Sequence, residues 1–198
     1  MHCYFTMPYP ATMRRTLLCL LPLLLVAAGV CAQVAAPAYQ WRAPTADGIG
    51  KIYMGREIAR VMGWQGASWL ERGEREREER TDLLVPALEL KAGMQVADVG
   101  AGTGYFTWRM ARAVAPTGRV YASDVQPEML SLLRRSMAER GVVNVVPVMA
   151  TAKDAGLAPA SLDLALLVDV YHELEYPFDV IASLVRALKP GGDRKSNV

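Results

Sequence analysis

The sequence predicts an α/β fold, a doubly wound parallel sheet with helices on both faces. Three observations predict it. From Lys91 onward, short apolar runs alternate with stretches of helical periodicity, the pattern of successive strand–helix units. A loop with glycines at alternate positions, Gly100, Gly102 and Gly104, joins the first of these runs to the first helix. An acidic residue, Asp124, closes the second run, 24 positions after Gly100.

The chain has 198 residues, 52% of them hydrophobic and 21% charged, which excludes a disordered, collagen-like or disulfide-rich protein. A net charge of +2 does not argue for a nucleic-acid partner. The expected partner is a small-molecule substrate. All three cysteines, Cys3, Cys19 and Cys31, lie in the first 32 residues, as do two arginines and no acid. That segment reads as an export address: Arg14 and Arg15, then the apolar run Leu17–Val30, then small residues ending at Ala32. The run falls short of the roughly 20 residues a membrane-spanning helix needs, so cleavage before Gln33 is favoured over an anchor. The expected location is the periplasm or outside the cell. Cleavage would leave no cysteine, and hence no disulfide or thiol chemistry.

Residues 33–80 read as a linker and a helical lead-in. Pro, Ala and Gly without periodicity occupy 33–50, and Ile58, Val61 and Met62 suggest a helix over 52–62. The run Glu71–Arg80 carries nine charged residues in ten with alternating sign, the pattern of a solvated helix laced by ion pairs three and four positions apart. The domain proper then spans 81–198. Met94–Val99 is its first strand, and Phe106, Met110, Ala113 and Val114 mark the first helix. Val120–Asp124 is the second strand, followed by a helix opened by Pro127 and closed by Gly141. Val145–Met149 is the third strand, and Pro147 puts it at a sheet edge. Leu162–Asp169 is the fourth strand. The next helix carries Val180, Ile181, Leu184, Val185 and Leu188 and ends at Lys189-Pro190-Gly191-Gly192.

Asp98-Val99-Gly100-Ala101-Gly102-Thr103-Gly104-Tyr105 is the chemistry-bearing stretch. Its glycines let the backbone turn tightly and approach a ligand at a helix N-terminus, and Asp124 can accept ribose hydroxyls. A dinucleotide fingerprint wants glycine where Tyr105 stands.

Over about residues 80–192 this constellation resembles the class I S-adenosylmethionine-dependent methyltransferases, and among them the type 11 methyltransferase domain group. The stretch Val96–Gly104 matches the family's first motif, Asp124 its ribose-binding acid, and Leu162–Leu164 with Asp169–Glu173 its fourth-strand motif. Leu188–Gly192 matches the turn before its fifth strand, and Gly55–Ala59 with Trp69–Arg72 the lead-in of an exported subgroup. The resemblance implies a Rossmann-like sheet and S-adenosylmethionine as cofactor. It implies that Asp98, Gly100, Ala101, Gly102 and Gly104 hold the methionine moiety, and that Asp124 holds the ribose. Val125 and Met129 would flank the adenine. After the third strand the family often has an acid facing the adenine amine; here either a displaced Asp154 or the backbone near Thr151 and Ala152 would serve.

The resemblance also puts Asp169, Tyr171, His172 and Glu173 on the methyl-transfer side. His172 could take a proton from the nucleophile, although a plain structural role fits it as well, and Tyr171 reads as a pocket wall more than an acid. The family continues into further strands, whereas Asp193–Val198 is polar and unsuited to a buried strand. The expectation is therefore a truncated sheet of order 3-2-1-4, with strands five to seven missing and the apolar run 162–168 as its exposed edge. Two other functions compete: a nicotinamide-dependent oxidoreductase, disfavoured by Tyr105 and the Lys-Pro-Gly-Gly turn, and a cofactor-binding remnant without activity.

Overall fold

The computed structural model describes residues 38–197; the export address lies outside them. Strands β4 (Gln95–Val99), β5 (Arg119–Asp124), β6 (Val145–Met149) and β7 (Leu162–Val168) fall where the apolar runs put them. So do helices α4 (Thr107–Val114), α5 (Pro127–Glu139) and α6 (Pro177–Ala187). Each strand is apolar on both faces, as burial under helices on both sides requires. Val96, Leu164 and Leu166 face Phe106, Met110 and Val114 on one side. Ala97, Ala165 and Leu167 face Val180, Leu184 and Ala187 on the other. The strands pair in parallel, and β6 with its Pro147 forms one edge.

The other edge departs from the sequence reading. Leu188–Asn197 forms a fifth strand, β8, parallel to β7, giving the order β6-β5-β4-β7-β8. The run 162–168 is thus paired on both sides and is not an edge. Ladder bonds come from backbone amides, which polar residues supply as well as apolar ones, and an edge position suits polar residues. The Lys189–Gly192 turn survives as an irregularity in this ladder: Leu162 pairs with Leu188, but Leu164 pairs with Asp193. Gly191 takes φ +82 there.

The segment read as linker and helix is a small antiparallel sheet instead, β1 (Gln40–Trp41), β2 (Gly48–Tyr53) and β3 (Arg56–Ala59). Met54 and Gly55 both have positive φ, so they make the two-residue hairpin turn whose twist matches flanking strands. The Glu57 carboxylate accepts from Arg42 Nη2 and from the amides of Thr45 and Gly50 at 2.8–3.1 Å. The Arg42 bond is the chief reason its carboxyl titrates at about 2. Lys51 fastens this sheet to the segment after β7: its buried ammonium lies 3.2 Å from the Tyr176 ring centre and 3.9 Å from Glu175 Oε1.

The charged run is also less uniform than its composition. It holds one short helix, α2 (Arg75–Glu79), between α1 (Ala67–Leu70) and α3 (Thr81–Ala87). Arg75 and Glu79 make a pair of the expected kind, four positions apart, whereas Arg72 reaches Glu78 and Glu79 across six and seven positions, because the run folds back and is not one helix. Arg75 itself is buried, because its aliphatic stem and planar head pack on aromatic rings.

Candidate functional site

The carboxyl ends of β4, β5 and β7 open into a cavity of about 480 Å3, within the range of small-molecule sites. The loop after β4 is held to β5 by the backbone. The amides of Gly100 and Ala101 both donate to the Ser123 carbonyl, at 2.8 and 3.1 Å. Gly102 donates its amide to Asp124 Oδ2 at 2.9 Å, and Gln126 donates its own to Asp124 Oδ1 at 2.9 Å. One carboxylate therefore fixes the glycine loop and the start of the β5–α5 turn together.

Two glycines in that loop have positive φ and a side chain packed against the place a Cβ would take. A Cβ on Gly100 (φ +70) would overlap Val170, and one on Gly102 (φ +54) would stand 2.8 Å from Leu70 Cδ1. Gly104 (φ +91) has a different duty. Its Cβ would meet Met137 Cε at 2.8 Å, so it lets α5 pack under the loop.

Five acids, Asp98, Asp124, Asp169, Glu173 and Glu175, stand in a lining that is otherwise largely apolar. Asp98 is wholly buried and accepts from Thr107 Oγ1 at 2.6 Å. Burial first, and then the charge of Asp124, push its carboxyl up to about 6, against the pull of Thr107 and Arg75. Burial also raises Asp124, partly offset by the Gln126 and Gly102 amides. Glu173 is raised by burial and by Asp124 and Asp169, partly offset by the Met62 amide and His172. Asp169 holds φ +52 at the end of β7, a conformation uncommon outside glycine and asparagine-like residues. Asp98 and Asp124 are buried, Glu173 is half-buried and Asp169 is exposed, and a cationic ligand would relieve the repulsion among them.

The upstream segment forms the remaining wall. Val61, Met62, Trp69 and Leu70 line the cavity, along with Arg75. The segment is tied down at several points. Gln126 Nε2 donates to the Met62 carbonyl and Gln126 Oε1 accepts from the Trp64 amide, both at 2.9 Å. Thr103 Oγ1 donates to Glu71 Oε1 at 2.6 Å.

A family model described as a methyltransferase domain matches residues 96–192. The ubiquinone/menaquinone biosynthesis C-methyltransferase UbiE of Stutzerimonas stutzeri is 34% identical over 101 residues, 50% of this chain and 40% of that protein. The enzyme of the same description from Ectopseudomonas oleovorans is 32% identical over 104 residues, 52% of this chain and 61% of that protein. The chain thus spans under two thirds of the length of these relatives. The crystal structure of a SAM-dependent methyltransferase from Aquifex aeolicus superposes with a TM-score of 0.62 at 27% identity, covering 66% of this chain and 69% of the other. Residues 96–192 form a domain of the class I S-adenosylmethionine-dependent methyltransferase family.

The residues present fit the cofactor that names this family. The loop glycines bring backbone close to the cavity where a Cβ would clash, which is the cradle a bulky ligand needs. Among the described residues the charged side chains of the lining are five carboxylates and one arginine, a set that complements a sulfonium cation whose amino-acid end carries an ammonium and a carboxylate.

Most residues assigned from the sequence of this domain line the cavity. Asp98, Gly100, Ala101, Gly102, Asp124 and Val125 do, and so do Met129, Thr151, Ala152, Asp169 and His172. Two do not. Gly104 faces α5, and Tyr171 is absent from the lining, one position before His172 on a short 3-10 turn. After β6, Thr151 and Ala152 line the cavity. Asp154 stands off the cavity, its carboxylate accepting from the Gly156 amide at 2.8 Å and from Arg186 at 3.3 Å. His172 Nε2 is 3.8 Å from Glu173 Oε1. Sequence reasoning missed the upstream wall of Met62, Leu70 and Arg75. Met62 and Leu70 precede the charged run, and within that run Arg75 reads like its solvated neighbours.

Proposed function

We propose that this chain transfers a methyl group from S-adenosylmethionine to a small-molecule acceptor. The observation that carries the reading is the single carboxylate of Asp124, which fixes both the Gly102 amide and the Gln126 amide at the mouth of an acidic cavity. The cofactor supplies an activated methyl group when bound, so the protein's work is placement and exclusion of water. The Gly100–Gly102 backbone and Asp124 hold one side of the cavity, and Asp169, His172 and Glu173 stand on the side left for the acceptor. His172 accepts a proton there if the nucleophile carries one, and Glu173 stabilises the resulting imidazolium. C-methylation, the reaction in the names of the two relatives, is the form to test first.

Calorimetry with S-adenosylhomocysteine and with NADH tests the cofactor, and transfer of labelled methyl to quinol and phenol acceptors tests the reaction. Binding of the thioether with no NADH binding is expected; the reverse would overturn the reading. His172→Asn should lower kcat roughly 100-fold or more if the histidine is a base, and leave it near the parent value if it is not. We also propose export with cleavage before Gln33, supported by the Arg14–Ala32 sequence alone. Mass spectrometry of the cell envelope should find a chain that starts at Gln33.

A further inference from the structure

Arg75 lines the same cavity from outside the span that matches the family model. Among the described residues it is the one arginine or lysine in that lining. Its side chain is buried and held in place. Nε donates to Glu79 Oε2 and Nη1 to the Leu70 carbonyl, each at 2.9 Å. The guanidinium lies 4.4 Å from the ring centre of Tyr105 and 5.2 Å from that of Phe106, the two residues that follow the glycine loop. Among the described residues no hydrogen bond uses Nη2. Glu79 is shared with Arg72, so it is not a private counterion for Arg75.

The ligand's charges decide what such a group can do. The cofactor's amino-acid end presents an ammonium and a carboxylate. Asp98, Asp169 and Glu173 suit the ammonium and the sulfonium, but the same acids repel the carboxylate. A buried carboxylate needs a paired cation, and a planar guanidinium with donors to spare is the matching partner. We propose that Arg75 binds the carboxylate of the cofactor's amino-acid end, an assignment that rests on the methyl-donor reading above. Arg75 thereby selects the intact amino-acid end over ligands that lack its negative charge.

The test measures binding to the full chain by calorimetry, with three probes: S-adenosylhomocysteine, its carboxyl methyl ester, and methylthioadenosine, which lacks the amino-acid end. The parent chain should bind S-adenosylhomocysteine roughly 10- to 100-fold more tightly than the ester, the range for a charged hydrogen-bonded pair. Arg75→Met should lose a similar factor for S-adenosylhomocysteine, abolish the distinction from the ester, and leave methylthioadenosine affinity unchanged. Arg75→Lys should recover part of the discrimination. Equal affinity of the parent chain for acid and ester overturns the assignment, and needs no folded variant. Full discrimination retained by Arg75→Met overturns it too. A parent chain that binds none of the three probes overturns the methyl-donor reading itself, and the assignment with it.

Discussion

The hydroxyl of Thr107 donates a 2.6 Å hydrogen bond to the carboxylate of Asp98, and both residues are buried beneath the glycine loop. This bond is the main local support for a charge that has otherwise lost its water. It moderates the rise in the Asp98 pKa without cancelling it.

The first prediction follows from that rise. Asp98 titrates near 6 when folded, against an ordinary value of 3.8. Below about pH 4 it is protonated in both states and costs nothing. Between the two values it ionises only in the unfolded chain, so the fold loses stability as pH rises. Above 6 the cost is complete, at most about 3 kcal/mol. Asp98→Asn keeps an acceptor for Thr107 and removes the charge. In urea titrations its stability advantage over the parent should grow from pH 4 to 6 and then hold level; an advantage that stays flat across that window contradicts this account.

Asp124→Ala removes two loop anchors and, with them, the acceptor proposed for the ligand. The affinity for S-adenosylhomocysteine should fall by about 1.5–3 kcal/mol, as for other hydrogen bonds to charged groups. Asp124→Asn should be milder for stability, because its one carboxamide oxygen can still accept one of the two amides. Calorimetry paired with thermal denaturation separates the two losses.

Gly104→Ala and Gly102→Ala should fail in different ways. Both force a side chain into positive φ at a cost of about 1–3 kcal/mol. At Gly104 the new methyl also presses on Met137, so the thermal midpoint falls further, while a chain that still folds keeps its ligand affinity. At Gly102 the methyl meets Leu70 on the cavity wall, so affinity falls as well.

Gln126→Ala should free the segment around Gly63 without unfolding the sheet. Its amide group supplies one bond to Met62 and one to Trp64. Hydrogen exchange at the Trp64 amide should quicken at least tenfold, while β4 and β5 amides keep their protection. Equal protection of Trp64 in the variant and the parent would show that the clasp is idle.

The sheet was legible because burial on both faces forces continuous apolar runs, and these have few other readings. The Asp98–Gly104 loop and Asp124 were legible because few residue types tolerate a tight turn or end a strand with a charge. Three features were not. The hairpin at Met54-Gly55 was hidden because Ile58, Val61 and Met62 recur at the three- and four-residue spacing of a helix. β8 was hidden because its pairing is a backbone matter to which polar side chains give no clue. Arg75 was hidden because a buried arginine and a solvated one are written with the same letter, and only the rings of Tyr105 and Phe106 tell them apart.

The cavity's walls come from two sources. Residues 96–192 carry the glycine loop, Asp124 and the β7 acids, whereas Met62, Leu70 and Arg75 lie upstream of that span. A minimal fragment excised at the family boundary would keep the glycine loop, Asp124 and the β7 acids and leave the side walled by Met62, Leu70 and Arg75 open to bulk water. Sequence drift in the shared span and in the upstream segment would then have separable effects, the first on whether the donor is held at all, the second on how long it stays. Homologues that share the core but differ before residue 80 should be expected to differ in donor residence time.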